Sequence, residues 1–324
     1  MSTDNTPQTL LEMIRLYSDP KACHDAMVSF RWPKGVVCPH CGSKTLWFTE
    51  KRLRWQCKDC KKQFTVKVGT IFEDSALSLS KWLPAVWLIS NCKNGISSCE
   101  LARSIGVTQK TAWFMLHRIR TAMADGSFEK MTGTVESDET YIGGLEKNKH
   151  NDRKQHAGRG GVGKTIVMGM LQREDAETTV SKVLANIIPD ASKDTLRKQI
   201  TTAVDKFTQL YTDAWAGYQG MSAEYLHEFV DHTVAYAIGQ VHTNGIENFW
   251  SLLKRCLRGT YVSVEPFHLK RYIDEQVFRF NNRAKNDAER FSGVLESVSG
   301  RRLTYETLTE SYKTYFDAIL PRSC

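Results

Sequence analysis

Residues 158–165 read GRGGVGKT, and the fold turns on how this octapeptide is read. It fits G-x-x-x-x-G-K-[ST] at every fixed position, the pattern of a phosphate-binding loop. Such a loop needs a buried strand before it and a helix after it, because helix N-terminus and loop amides together cradle the phosphates. The chain has the opposite order. Residues 143–157, GGLEKNKHNDRKQHA, are polar and charged and carry no strand signal. Residues 165–172, TIVMGMLQ, have β-branched Ile166 and Val167 followed by Gly169 and read as a strand. No apolar run ending in Asp stands out as the second strand of a nucleotide site. The octapeptide is therefore read as a basic, glycine-rich hairpin loop feeding a core strand, and no nucleotide cofactor is expected. Lys147, Lys149, Arg153, Lys154, Arg159 and Lys164 lie in this region and suit a polyanionic backbone.

Outward from that loop, three acidic stretches appear. TVESDETYIGG (134–144) carries Asp138 between Val135 and the pair Tyr141–Ile142, and reads as a strand ending at a Gly-Gly turn. FTQLYTDAWAGY (207–218) carries Asp213 at the carboxyl end of a strand begun by Leu210 and Tyr211. In HTNGIENFWSLLKRCLRG (242–259), Ile246, Phe249, Trp250, Leu253 and Leu257 recur at helical spacing and predict a buried stripe. Glu247, Ser251, Lys254 and Arg258 form the neighbouring stripe, so Glu247 and Lys254 share one face. The spacing predicts strands over 132–142, 164–171 and 178–188, a helix over 192–206, a strand over 208–213 and then the Glu247 helix. That order fits an RNase H-like α/β layer. Two strand-borne aspartates and a helical glutamate suit a two-metal phosphoryl-transfer site, because Mg²⁺ takes oxygen ligands and two ions ~4 Å apart serve the attacking and leaving oxygens. Other triads can be drawn from 36 acidic residues, and ESDE alone offers Glu136, Asp138 and Glu139.

Toward the N-terminus, Cys38-Pro-His-Cys41 and Cys57-Lys-Asp-Cys60 form C-x2-C-x15-C-x2-C. This spacing suits one structural Zn²⁺ held by four thiolates, a closed site with no open position for chemistry. His40 is a weaker ligand candidate. Residues 79–123 read as helical. Ser97 or Ser98 caps a short helix carrying Leu101, Ala102 and Ile105, Gly106 supplies a turn, and Thr108 caps a second helix with Ala112, Met115, Leu116 and Ile119 on one face. Two helices joined at a glycine fit a helix-turn-helix, or else a plain helical hairpin. The outer face of the second helix is read as Gln109, Lys110, Trp113, His117, Arg118 and Arg120, candidates for DNA contact.

Composition bounds the rest. The chain has 324 residues, 41% hydrophobic and 25% charged, with a net charge of +8. Residues 31–67 hold ten Lys or Arg against two acids, which points to an anionic partner such as nucleic acid. The apolar run Trp82 to Ile89 is interrupted by Pro84 and is far short of the ~20 residues of a membrane span. The N-terminal stretch MSTDNTPQTLLEMIRLYSDP has no basic segment ahead of an apolar core. A cytoplasmic protein, nucleoid-associated when bound, is expected, and the odd count of nine cysteines argues against a disulfide framework.

Read together, CPHCG…CKDCKKQFTVKVGTIFEDS, ELARSIGVTQKTAWFMLHRIR, ESDETYIGG, GRGGVGKTIVMGML, YTDAWAGY, HTNGIENFWSLLKRCLRGTY and YIDEQVFRFNNR resemble bacterial insertion-sequence transposases of the zinc-ribbon DDE type, relatives of Merlin elements. The motifs run in order from about residue 20 to 283. The resemblance implies an RNase H-like catalytic domain (127–283) behind an N-terminal helical segment (1–30), a zinc ribbon (31–72) and a helix-turn-helix (73–126), with a partly helical tail (284–324). It implies Asp138 and Asp213 as the first two metal ligands and Glu247 as the third, with Asn244 and Asn248 as alternatives, and Lys254 as the partner of a DNA phosphate. Lys164 and Arg255 join the DNA-contact candidates. It further implies two Mg²⁺ (or Mn²⁺) ions, cutting at element ends, joining of the 3′-hydroxyl to target DNA, and a homo-oligomer on double-stranded DNA. The alternative is a zinc-ribbon, helix-turn-helix regulator that has lost catalysis.

Overall fold

The computed structural model describes residues 7–124, 129–144, 164–175, 178–214, 216–218, 220–230 and 240–309. Lys147, Lys149, Arg153, Lys154, Arg159 and most of the GRGGVGKT octapeptide lie outside them; Lys164 and Thr165 lie within. Two compact units divide the described chain. One contains residues 7–124 and 285–309, the other residues 129–284.

The second unit is built on a five-stranded mixed sheet. In chain order its strands are β4 (Thr134–Ile142), β5 (Thr165–Gln172), β6 (Lys182–Ile188), β7 (Gln209–Asp213) and β8 (Leu226–Val230). Their order across the sheet is β6-β5-β4-β7-β8. The first three form an antiparallel meander, and β7 and β8 add in parallel on the other side of β4. This is the RNase H-like arrangement, with the first strand of the sheet at its centre. Four of the five strands coincide with expected ones; β8 had no expectation. Its inward and outward residues, LHEFV, leave Leu226 and Phe229 exposed and give no clean alternation.

Both faces of the sheet are covered, and strict period-2 alternation sorts the residues. Val167 and Leu171 of β5 join a core with Ile246, Phe249, Trp250 and Leu253 of α7 (Asn244–Cys256) and Tyr272, Ile273 and Phe280 of α8 (Leu269–Asn281). Met168 and Met170 point the other way, into a core with Leu196 and Ile200 of α6 (Lys193–Ala203) and with Tyr218 and Met221. Ser192 starts α6 by accepting the Thr195 amide N–H. The whole expected stripe of α7, through Leu257, is buried.

The first unit begins with α1 (Leu10–Leu16) and α2 (Pro20–Arg31), then a three-stranded antiparallel sheet of β1 (Leu46–Thr49), β2 (Arg54–Cys57) and β3 (Gln63–Phe64). Trp55 is the hub of this ribbon, with its ring 5.0 Å from His24, 4.8 Å from Phe48 and 5.5 Å from Phe64. Helices α3 (Leu79–Asn91), α4 (Ser98–Ile105) and α5 (Gln109–Met123) follow. Ser97, not Ser98, caps α4, in a reciprocal box with Glu100. Gly106 takes the left-handed conformation at φ 63°, where a side chain would be strained, and Thr108 caps α5.

The region from 284 onward, expected as a tail, holds α9 (Asp287–Glu296), which is an integral part of this unit. Phe291 is buried with its ring 5.3 Å from Trp87 and 6.3 Å from Tyr17. Asn91 donates to the Asp287 carbonyl and accepts from Arg290, and Arg301 donates to the Thr121 carbonyl.

The outward placement of three α5 residues needs correction. His117, Arg118 and Arg120 are buried. Helix α5 packs against α3, α4 and α9, so positions 115–120 are enclosed all round. The Arg118 guanidinium donates to the Glu73 carbonyl and lies over the Trp82 and Phe114 rings at 5.3 and 5.4 Å. Burial pulls its pKa down to about 10. Gln109 and Lys110 are exposed and Trp113 is half-buried, so the accessible part of α5 is its N-terminal end.

Candidate active site and metal centre

Register decides where the two aspartates stand. Parallel pairing of β4 with β7 matches Thr134 to Gln209, Val135 to Leu210 and Glu136 to Tyr211. The pairing ends there; counted on by two residues, the same register puts Asp138 and Asp213 on one face. Partners in register share a face, and neighbouring strands lie ~4.8 Å apart. The same face carries Gly169, the antiparallel partner of Asp138 on β5. Helix α7 crosses there. Trp250 donates its indole N–H to Oδ2 of Asp138 at 2.9 Å. A Cβ on Gly169 would meet the Trp250 ring at 2.6 Å and Ile246 at 2.8 Å, so this strand position has room only for glycine.

Glu247 lies one turn before Trp250 on α7, exposed, with Oε1 accepting from the Thr243 hydroxyl at 2.9 Å. Burial, together with the negative charges of Asp213 and Glu247, pushes the Asp138 carboxyl up to about 6; the Glu139 amide and the Trp250 indole oppose the shift. The three acids therefore share one electrostatic neighbourhood. Of Asn244, Glu247 and Asn248, all exposed on α7, only Glu247 carries a charge that acts on Asp138. Among the described residues, no three carboxylates bring oxygens within 4.8 Å of one another. Lys254 is half-buried two turns along α7, and Arg255 beside it is exposed. Lys164 stands half-buried immediately before β5.

The other acids of ESDE have different surroundings. Glu139 points to the α6 face, and burial raises its carboxyl to about 8, with Tyr218 as a hydrogen-bond partner opposing the shift. Glu136 lies on the α7 face, 1% exposed, in an ion pair with Arg173 at 2.7 Å. Glu136 is offered by ESDE only as an alternative acid, and Arg173 has no signal in the sequence. The only signal was that Glu136 shares strand parity with Asp138.

In the first unit the four ribbon cysteines bring their sulfurs within 4.8 Å of one another. Cys38 and Cys60 are 3.7 Å apart and Cys41 and Cys57 3.6 Å. A disulfide would be ~2.05 Å. A tetrahedron with Zn–S of ~2.3 Å has edges of about 3.8 Å, which these spacings fit. Backbone hydrogen bonds from Cys60 and Asp59 lower the Cys57 thiol, while the neighbouring sulfurs raise Cys41, so the four share protons until a metal displaces them. His40 is not part of this cluster; its ring is 6.5 Å from Phe64.

These features define a two-part protein: a four-cysteine ribbon with a helical unit, and an RNase H-like unit whose sheet and helix α7 carry Asp138, Asp213 and Glu247. Comparison with known proteins agrees with both parts. Residues 130–281 match the ISXO2-like transposase domain and residues 18–63 the transposase zinc-ribbon domain. An uncharacterized protein in transposable element ISH50 of Halobacterium salinarum is 28% identical over 258 residues, which cover 75% of this chain and 85% of that protein. An uncharacterized transposase-like protein of Haemophilus influenzae is 30% identical over 102 residues, 31% of this chain and 82% of that protein. The chain belongs to the ISXO2-like, IS1595-type transposases with an N-terminal zinc ribbon. No helix among the described residues is long and apolar enough to cross a membrane.

Proposed function

We propose that this chain is a Mg²⁺-dependent DNA transposase in which Asp138, Asp213 and Glu247 hold two divalent ions. The observation that supports the reading is the β4–β7 register, which counted on by two residues turns both aspartates to the face crossed by α7, where the Glu247 charge acts on Asp138. Carboxylate oxygens are the donors Mg²⁺ takes. When bound, the ions stabilise the attacking and leaving oxygens of an in-line displacement. Mn²⁺ suits the same donors.

Two displacements follow from this class of site. At the element end, a water oxygen bonds to phosphorus, the P–O3′ bond breaks, and the 3′-oxygen leaves with a proton. That 3′-hydroxyl then attacks a phosphodiester of target DNA, forming a new O3′–P bond as the target's own 3′-oxygen departs. Trp250 orients Asp138 through its indole N–H. Lys254, Arg255 and Lys164 neutralise phosphates. The zinc ribbon and the exposed N-terminal end of α5, with Lys110 and Trp113, hold the ends of the element in double-stranded form, and the enzyme works as a homo-oligomer on paired ends.

The test is cleavage of DNA carrying the gene's own flanks by purified protein in Mg²⁺ without ATP, beside Asp213→Ala. Cuts at element ends that vanish in the variant support the reading. Equal cutting by both proteins sinks the assigned site, and binding with no cutting by wild type favours the non-catalytic regulator.

A further inference from the structure

Arg173 follows β5, and Glu136 is on β4, beneath the point where the chain turns into α7. Glu136 divides its two carboxylate oxygens. Oε1 accepts from Arg173 Nε at 2.7 Å, and Oε2 accepts the backbone N–H of Ile246 at 2.8 Å. Ile246 N–H is a first-turn donor of α7, a group that has no partner within its own helix. The remaining Arg173 donors reach the segment leading into that helix. Nη1 donates to the Gln240 carbonyl at 2.9 Å, and Nη2 to the His242 carbonyl at 2.8 Å, with His242 Nδ1 also at 2.8 Å. The guanidinium lies over the Tyr211 ring at 4.8 Å, on the strand that ends in Asp213. Gly245 lets the helix approach: a Cβ there would come within 2.8 Å of Glu136 Oε2.

Two charges with one well-defined job thus tie together three elements that each carry an acid of the proposed site. We infer that Glu136 and Arg173 are positioning residues, a buried clamp that fixes the first turn of α7 and so sets where Glu247 stands relative to Asp138 and Asp213. The inference rests on the active-site reading above. A fork of guanidinium donors suits the task because it spans a carboxylate and two carbonyls at once, which a lysine ammonium does not. Outer groups that orient metal ligands typically change metal affinity 10–100-fold when lost.

The test uses the full chain and its variants Arg173→Met, Glu136→Gln and the double variant Glu136→Gln/Arg173→Met. The double variant leaves no unpaired buried charge, so it remains measurable if a single variant does not fold. Two quantities are read: hydrogen exchange of the peptide spanning residues 240–250, and Mn²⁺ affinity by electron paramagnetic resonance without DNA. The expected result is faster exchange over 240–250 with β5 exchange unchanged, and at least about tenfold weaker Mn²⁺ binding. A folded variant with wild-type exchange over 240–250 and wild-type Mn²⁺ affinity overturns the clamp. Failure of the active-site reading has a separate signature: Mn²⁺ binding by wild type that Asp213→Ala does not weaken. The clamp then has no ligand to position and falls as a site device, whatever the exchange shows.

Discussion

Trp250 donates its indole N–H to Asp138 across 2.9 Å, and this bond joins the helix bearing Glu247 to the central strand of the sheet. Trp250→Phe keeps the ring and removes the donor. Losing a hydrogen bond to a carboxylate should cost about 1–3 kcal/mol of stability. Because the indole favours the charged carboxyl, Asp138 should also titrate higher in the variant. Urea unfolding and carboxyl-carbon NMR titration read the two effects; an unchanged Asp138 titration would count against the bond.

The Asp138 shift makes a signed prediction for pH. A carboxyl held up to about 6 in the folded chain and near ~4 unfolded binds its proton more tightly when folded. Its contribution to stability is full below pH ~4 and is lost as pH rises through 6. The stability of wild type relative to Asp138→Asn, without divalent ions, should therefore fall by about 2–3 kcal/mol between pH 4 and 7. Mg²⁺ should restore it at pH 7 and have little effect at pH 4. Parallel pH profiles for the two proteins would contradict the shift.

Gly169 is predicted to resist even the smallest substitution. An alanine Cβ would come within 2.6 Å of the Trp250 ring, which has no flexible end to move aside. Gly169→Ala should lose about 1–3 kcal/mol by overpacking. It should also loosen the Trp250–Asp138 bond, so Mn²⁺ affinity should drop with stability. Wild-type thermal unfolding in this variant would show that α7 can shift freely over the sheet.

The ribbon should depend on zinc. Four sulfurs 3.6–3.7 Å apart in facing pairs carry mutually repelling charge once ionised, and a metal removes that cost. One zinc per chain should be found by elemental analysis. Cys57→Ser or a strong chelator should release it, expose Trp55 to solvent and open residues 38–60 to proteolysis. Zinc-free protein with unchanged Trp55 fluorescence would argue for a metal-independent ribbon.

On α5, exposure separates two kinds of residue that look alike as cations. Lys110→Ala should weaken DNA binding and lower the salt slope of the affinity by about one, with stability unchanged. His117→Ala should instead destabilise the fold by about 1–3 kcal/mol. Binding loss with full stability in His117→Ala would restore it to the DNA face.

Much of this protein was set by local sequence. The CxxC pairs need only short turns and a hairpin to converge, so their spacing sufficed. Period 3.6 in residues 246–257 and the β-branched run at 165–172 named α7 and β5 because burial of one face is a local pattern. Tertiary structure decided the rest. Strand parity puts Glu136 and Asp138 on one face, but only the parallel pairing with β7 turns Asp213 to that same face, only the β4–β5 pairing brings Arg173 to Glu136, and only the crossing of α7 gives Glu136 the Ile246 amide to cap. A single amphipathic face was visible in α5, yet its packing against α3, α4 and α9 enclosed His117, Arg118 and Arg120 as well. Residues far apart in the chain create these environments, and burial by distant neighbours leaves no periodic trace in the segment that is buried.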